Sequence, residues 1–177
     1  MDAPGVVPYD PFWVLQFEGI RRSVDRALLG LDHRTEHVGS TAMPGVAAKP
    51  IIDVDVVLPS ADLVPAATEA LIGLGYHYEG DLGIVGREAF SAPPGQPHHL
   101  YVVVCSSQPH LDHIRLRDFL RAHPGHAQRY AELKESLAPL LRTDRDAYVD
   151  GKRELIHELL ALAVACQSIT VGQHRPC

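Results

Sequence analysis

Two aspartates one residue apart, Asp53 and Asp55, stand inside IIDVDVVL, a run otherwise made of β-branched and aliphatic residues. Alternate residues of a strand point to the same face, so a strand over 51–58 projects both carboxylates together. Like charges on a buried strand repel and lose hydration, a cost that a cation or firm hydrogen bonds must offset. A divalent ion held by oxygen donors is the usual compensation, and Mg²⁺ binds through one or two carboxylates plus substrate phosphates. The bland alternative is a solvent-facing polar stripe on an edge strand. The flanking Ile51, Ile52, Val54, Val56, Val57 and Leu58 argue against it.

Ser40 precedes Asp53 by thirteen residues (53 − 40), in the small-residue turn Gly39-Ser40-Thr41. Such a turn exposes backbone N–H groups and a hydroxyl that can approach a phosphate closely. Alone it is an ordinary turn; ahead of a D-x-D strand it becomes specific. Lys49 lies in the loop before that strand and reaches a phosphate as a point charge. Arg87 follows Gly86 and offers the same, with a plain surface charge as the rival reading for both. Arg117 and Arg121 are spaced i, i+4, as are Tyr130 and Lys134. Arg117 is a further phosphate contact, or else a salt-bridge partner of Asp118. Tyr130 is placed to stack on a base and Lys134 to touch phosphate, against a packing role with a snorkelling amine. His110 and His113 flank Asp112, but four zinc ligands do not cluster there, so a structural zinc site is not expected.

The elements that must position these residues follow from periodicity. Trp13, Phe17, Ile20, Val24 and Leu28 recur at helical spacing over 12–31. A short strand is expected at 35–38, a buried strand at 51–58, and a helix at 61–74 with Pro65 in its first turn. Strands are expected at 76–79, 84–90 and 98–105, and helices at 114–122, 127–141 and 148–166. Residues 1–11, with their prolines, read as an irregular arm and 168–177 as a tail. The order gives a single α/β (α+β) domain over 1–177, with helices packed on a mixed sheet and appended at one end.

Composition bounds the partners. Sixteen Lys and Arg against 22 Asp and Glu give a formal charge of −6, which suits no extended nucleic-acid track. The three cysteines form no C-x-x-C pair, and the cytoplasm is the expected compartment. No signal-peptide pattern opens the chain, and no run approaches the about 20 apolar residues of a membrane span.

The run EHVGSTAMPGVAAKPIIDVDVVL (36–58) closely resembles the signature of the GrpB family. The resemblance continues through GLGYHYEGDLGIVGREAF (73–90), HHLYVV (98–103) and HIRLRDFLRAHPGHAQRYAELKESLA (113–138), then the last helix from Tyr148 with Lys152. It covers about residues 9–165. It implies a nucleotidyltransferase fold, in which a helix-bearing mixed sheet carries a Gly-Ser turn and a D-x-D strand. It also implies a link to coenzyme A biosynthesis, because similar domains occur fused to dephospho-CoA kinases. In the wider superfamily a third carboxylate on a neighbouring strand helps bind metal. Here that strand, 98–105, has no acid, and His99 takes the position, with His98 as runner-up. A His-for-Asp exchange tilts the site from Mg²⁺ towards Mn²⁺ or Zn²⁺.

The expected activity is metal-dependent nucleotidyl transfer to a small-molecule acceptor, with ATP as the expected triphosphate and adenylylation as one form. Asp53, Asp55 and Ser40 are its catalytic residues. Asp53, Asp55 and His99 are its metal ligands, and Gly39, Ser40, Thr41, Lys49, Arg87, Arg117, Tyr130 and Lys134 bind nucleotide and phosphate. The rivals are a lyase, cyclase or hydrolase on the same fold, and a non-catalytic nucleotide-binding or chaperone-like module.

Overall fold

The computed structural model describes residues 5–95 and 97–169. Five strands form one sheet: β1 (Arg34–Val38), β2 (Ile52–Leu58), β3 (His77–Gly80), β4 (Arg87–Ser91) and β5 (His98–Val104). Their order is β1-β2-β5-β4-β3, with β2 and β5 parallel and every other pair antiparallel. A parallel pair needs a long crossover. Here it is the segment 59–97, which carries α2 (Val64–Gly73) and the β3–β4 hairpin.

The two faces of the sheet differ in chemistry. Ile52, Val54, Val56 and Leu58 of β2 join Leu100 and Val102 of β5 and Phe90 of β4 on one face. There they pack beneath Trp13, Phe17, Val24 and Leu28 of α1 (Phe12–Ala27) and Ala67 and Leu71 of α2. Leu71 and Leu100 are fully buried, and burial of such a side chain stabilises by about 1.5–3 kcal/mol. The opposite face carries Asp53, Asp55, His99 and Tyr101, and the C-terminal helices lie against it.

Those helices are α3 (Gln108–Ala122), α4 (Pro124–Leu137), α5 (Leu140–Thr143), α6 (Arg145–Asp150) and α7 (Arg153–Ile169). A second apolar cluster joins Phe119 and Leu120 of α3, Tyr130 and Ala131 of α4, and Leu155 and Leu159 of α7. Met43, Val46 and Ala47, from the loop after the Gly39-Ser40 turn, complete it. That loop therefore ties the sheet to the helices. Among the described residues no helix is long and apolar enough to cross a membrane.

Several boundaries differ from the periodicity reading, for local reasons. The first helix stops at Ala27, with Leu28 as its cap, short of the end expected near Gly30. α3 begins at Gln108 rather than 114, because Pro109 fits the first helical turn, where its missing N–H costs nothing. Pro124 likewise starts α4 instead of merely breaking the chain. The strand expected from Ile84 begins at Arg87, after the turn containing Gly83 and Gly86, both at positive φ. The helix expected over 127–141 breaks at Ala138, and that over 148–166 divides at Gly151. The arm is anchored at Val7, which bridges Ala48 through two backbone hydrogen bonds of 2.9 Å. Residues 1–4 of the arm and 170–177 of the tail lie outside the described residues.

Candidate active site

Strand register sets the site. Val38, Asp53, His99 and Ser91 form one cross-strand row, and Glu36, Asp55, Tyr101 and Ala89 form the next. Residues directly opposite share a face, so both aspartates, His99 and Tyr101 project to the same side. The expectation that Asp53 and Asp55 project together, with His99 beside Asp53, matches this geometry. His99 Nδ1 lies 2.9 Å from Asp53 Oδ1. His98 points to the other face, where it pairs with the Tyr76 hydroxyl at 2.7 Å.

The two carboxylates have different surroundings. Asp53 is half-buried, whereas the Asp55 side chain is fully closed off. His113 of α3 covers Asp55, its Nδ1 2.9 Å from Oδ2 and 3.1 Å from Oδ1. Burial disfavours the charged imidazole, but the hydrogen bond and charge of Asp55 outweigh it and raise the His113 pKa. His113 is thus a site partner that its sequence context, the H-L-D-H run, does not mark. Its neighbour His110 is buried with neither ring nitrogen hydrogen-bonded, and burial lowers its pKa. Tyr101 sits between the His99 and His113 rings, and the Arg87 guanidinium lies 4.5 Å over its ring. Arg87 is therefore on the site face, with its Nε buried and without a hydrogen-bond partner.

Gly39 explains how the small-residue turn reaches Asp53. Its backbone, at φ 69 and ψ −171, lies in a region essentially restricted to glycine. A β-carbon there would collide with the Asp53 carboxylate. Ser40 follows at once and lies close enough to Tyr130 of α4 to oppose the rise of its pKa. Thr41 is buried, and its hydroxyl lies 3.0 Å from His37 Nε2, so its side chain supports the turn instead of facing a phosphate.

Beyond Ser40 lies a basic cluster. Lys134 of α4 is 2% exposed, its Nζ 4.7 Å from the Tyr130 ring centroid and without a hydrogen-bond partner. Burial, helped by the charge of Lys152, pushes its pKa down to about 7 against the pull of Asp53 and Glu135. Lys152 Nζ lies 4.2 Å from the Tyr148 ring centroid and Lys49 Nζ 5.4 Å from it. Burial and then Lys49 push Lys152 down to about 8, with Asp53 opposing. In sequence Lys49 and Lys134 read as phosphate contacts, but Tyr148 and Lys152 only as part of the last helix in the GrpB resemblance. The signal was present: Tyr148 and Lys152 repeat the i, i+4 spacing of Tyr130 and Lys134.

Two expected contacts are corrected. Arg117 is engaged within the chain, 2.8 Å from Glu36, 2.7 Å from Asp118 and 3.1 Å from the His37 carbonyl. It fastens α3 to β1, which is the salt-bridge alternative. Tyr130 is 4% exposed and belongs to the second core, so its ring has no open face for a base. Burial pushes its pKa up to about 12, although Ser40 opposes the shift.

The donors can be weighed against a divalent ion. Among the described residues, no group of three or more His, Cys, Asp and Glu is arranged to hold one. Asp53 offers a half-exposed carboxylate, but both Asp55 oxygens face His113. As arranged, Asp53 is the carboxylate open to an approaching ion, and Asp55 would reach one only if its His113 contact were released.

A family model described as GrpB protein matches residues 3–162. A UPF0157 protein of Pseudomonas aeruginosa is 37% identical over 165 residues, covering 90% of this chain and 67% of its own. A crystal structure of the conserved protein GrpB from Enterococcus faecalis superimposes with a TM-score of 0.81 at 32% identity. That likeness covers 90% of this chain and 97% of the other. A dephospho-CoA kinase of Mycobacterium leprae is 26% identical over 180 residues, covering 84% of this chain but 43% of the kinase.

Proposed function

This chain belongs to the GrpB family, and from that premise we propose that it transfers a nucleotidyl group from a nucleoside triphosphate, ATP first, to a small-molecule acceptor. The observation that carries the reading is the contact of Gly39 with Asp53. It brings a phosphate-binding type of turn and a carboxylate pair to one point, next to a cluster of lysines.

In this reading the Gly39 and Ser40 turn holds phosphate oxygens through backbone N–H groups and the Ser40 hydroxyl. Lys49, Lys134 and Lys152 balance the charge of the phosphate tail, and Arg87 completes the positive rim across the face. The acceptor oxygen forms a bond to the α-phosphorus while the bond from that phosphorus to pyrophosphate breaks. Asp53, the more open carboxylate, accepts the acceptor's proton. A divalent ion at Asp53 and Asp55, Mg²⁺ or Mn²⁺, with Zn²⁺ favoured only if His99 joins, would neutralise charge developing on the leaving group.

The test is calorimetric titration of each nucleoside triphosphate, with and without Mg²⁺ or Mn²⁺, into wild type and Asp53→Asn. Metal-dependent binding that is lost in the variant supports the reading. A well-folded protein that binds no triphosphate ends it.

One observation favours a second reading, a lyase, cyclase or hydrolase on the same fold. Each aspartate already has an imidazole partner, His99 for Asp53 and His113 for Asp55. Such pairs compensate the carboxylates without a metal and suit proton transfer. Absence of any calorimetric response to Mn²⁺, with or without nucleotide, would shift the balance to it. The likeness to the kinase keeps a binding module linked to coenzyme A biosynthesis as the non-catalytic alternative.

A further inference from the structure

Lys134 is 2% exposed, yet among the described residues nothing hydrogen-bonds to its ammonium. A buried cation without a partner is costly, and chains keep one where something else completes it. Its immediate companions do not. The Tyr130 ring offers a π face at 4.7 Å, while the nearest charges that help it are Asp53 and Glu135. Lys152 repels it, and Lys49 in turn repels Lys152. Lys49 and Lys152 share the Tyr148 ring. Amines supplied by separate parts of the chain thus converge, and Asp53 acts on two of them, Lys134 and Lys152. Ser40 acts on Tyr130, which places the cluster next to the small-residue turn.

We propose that Lys134, Lys152 and Lys49, gathered around Tyr130 and Tyr148, form a subsite that binds the terminal phosphates of a polyphosphate chain without needing a metal ion. Amines spread over the Tyr130 and Tyr148 rings span more than one phosphate and match two or more linked ones. In taking the nucleotide's tail as the occupant, this assignment rests on the proposed function. As a metal-free polyanion site it stands or falls separately.

The probe is inorganic tripolyphosphate, titrated calorimetrically in a chelator-containing, phosphate-free buffer. Wild type is expected to bind it, with AMP and orthophosphate weaker by about tenfold or more. Lys134→Met and Lys152→Gln, each checked for folding by thermal melt, are expected to weaken binding by at least about tenfold. Asp53→Asn, which removes a carboxylate that acts on both Lys134 and Lys152, is expected to bind as tightly or more tightly. No binding by wild type, or equal binding by both folded lysine variants, overturns the subsite. ATP binding at least as tightly as tripolyphosphate assigns it to the nucleotide's tail. Tripolyphosphate binding with ATP excluded overturns that assignment. Loss of metal-dependent nucleotide binding in Asp53→Asn, with tripolyphosphate binding retained, separates the two sites.

Discussion

Gly39 presses its bare α-carbon against the side chain of Asp53, so closely that a β-carbon would lie 2.8 Å from Cγ and 2.9 Å from Cβ. Gly39→Ala therefore meets two obstacles at once. The backbone at φ 69 and ψ −171 strains any L side chain by about 1–3 kcal/mol. The overlap then pushes Asp53 or the turn out of place. Urea unfolding is expected to show a loss at least that large, and calorimetry a loss of ATP binding even where the protein remains folded. Retained ATP affinity in a folded Gly39→Ala protein would detach the turn from the site.

Arg117 separates structural from functional basic residues. Its guanidinium, 13% exposed, bonds Glu36, Asp118 and the His37 carbonyl. Removing a charged, largely buried donor set costs about 1.5–3 kcal/mol. Arg117→Ala is expected to lower the unfolding free energy by that amount and to leave the affinity for ATP unchanged. A weakened affinity with unchanged stability would restore Arg117 to the phosphate contacts.

These two residues also mark how far the sequence can be read. The D-x-D alternation survives folding because a strand has period two and its apolar neighbours leave one register. His99 came with it, because β5 pairs with β2 row by row. Contacts set by helix docking were not legible. His113 lies 58 positions from Asp55 in the chain, and nothing in its local run marks the pairing. Lys134 reads in sequence as a phosphate contact or a snorkelling amine, and its burial is not legible there, because lysine is rarely buried and only tertiary packing removes its water. The Arg117 choice between phosphate and Asp118 depended on Glu36, a residue on the first strand that helical spacing cannot see.

His37 supplies a pH dependence. It stacks on Phe17 at 4.7 Å, bonds Thr41 at 3.0 Å, and is 8% exposed. Burial, joined by Arg121 and Arg117, pushes its pKa from 6.5 down to about 4, against Asp53 and Glu18. The folded state thus binds this proton less readily than the unfolded chain. Its contribution is complete above pH 6.5 and is lost as pH falls through about 4. The linked change is about 3 kcal/mol. Unfolding free energies at pH 7, 5.5 and 4.5 are expected to fall less steeply for His37→Gln, which keeps a polar group for Thr41. Parallel slopes for the two proteins would show that His37 protonates freely in the fold.

Lys134 offers the opposite trade, a site residue whose removal strengthens the fold. Its amine is held below its ordinary value, from 10.5 to about 7, by burial and by Lys152, while Asp53 and Glu135 pull the other way. A lowered lysine pKa means that the unfolded chain binds the extra proton across this window. Stability from the group is present above pH 10.5 and is lost as pH falls to about 7. Replacing the amine by a thioether of similar length removes that penalty and keeps the packing against Tyr130. In phosphate-free buffer at pH 7, Lys134→Met is expected to raise the unfolding free energy by about 2–4 kcal/mol. The gain should shrink towards pH 9.5, where the wild-type amine is neutral in the fold and less of the unfolded population is protonated. A residue that lowers stability at neutral pH is retained where function needs it. A Lys134→Met protein less stable than wild type at pH 7, with the same pH slope, would show instead that the amine is charged and satisfied in the native state.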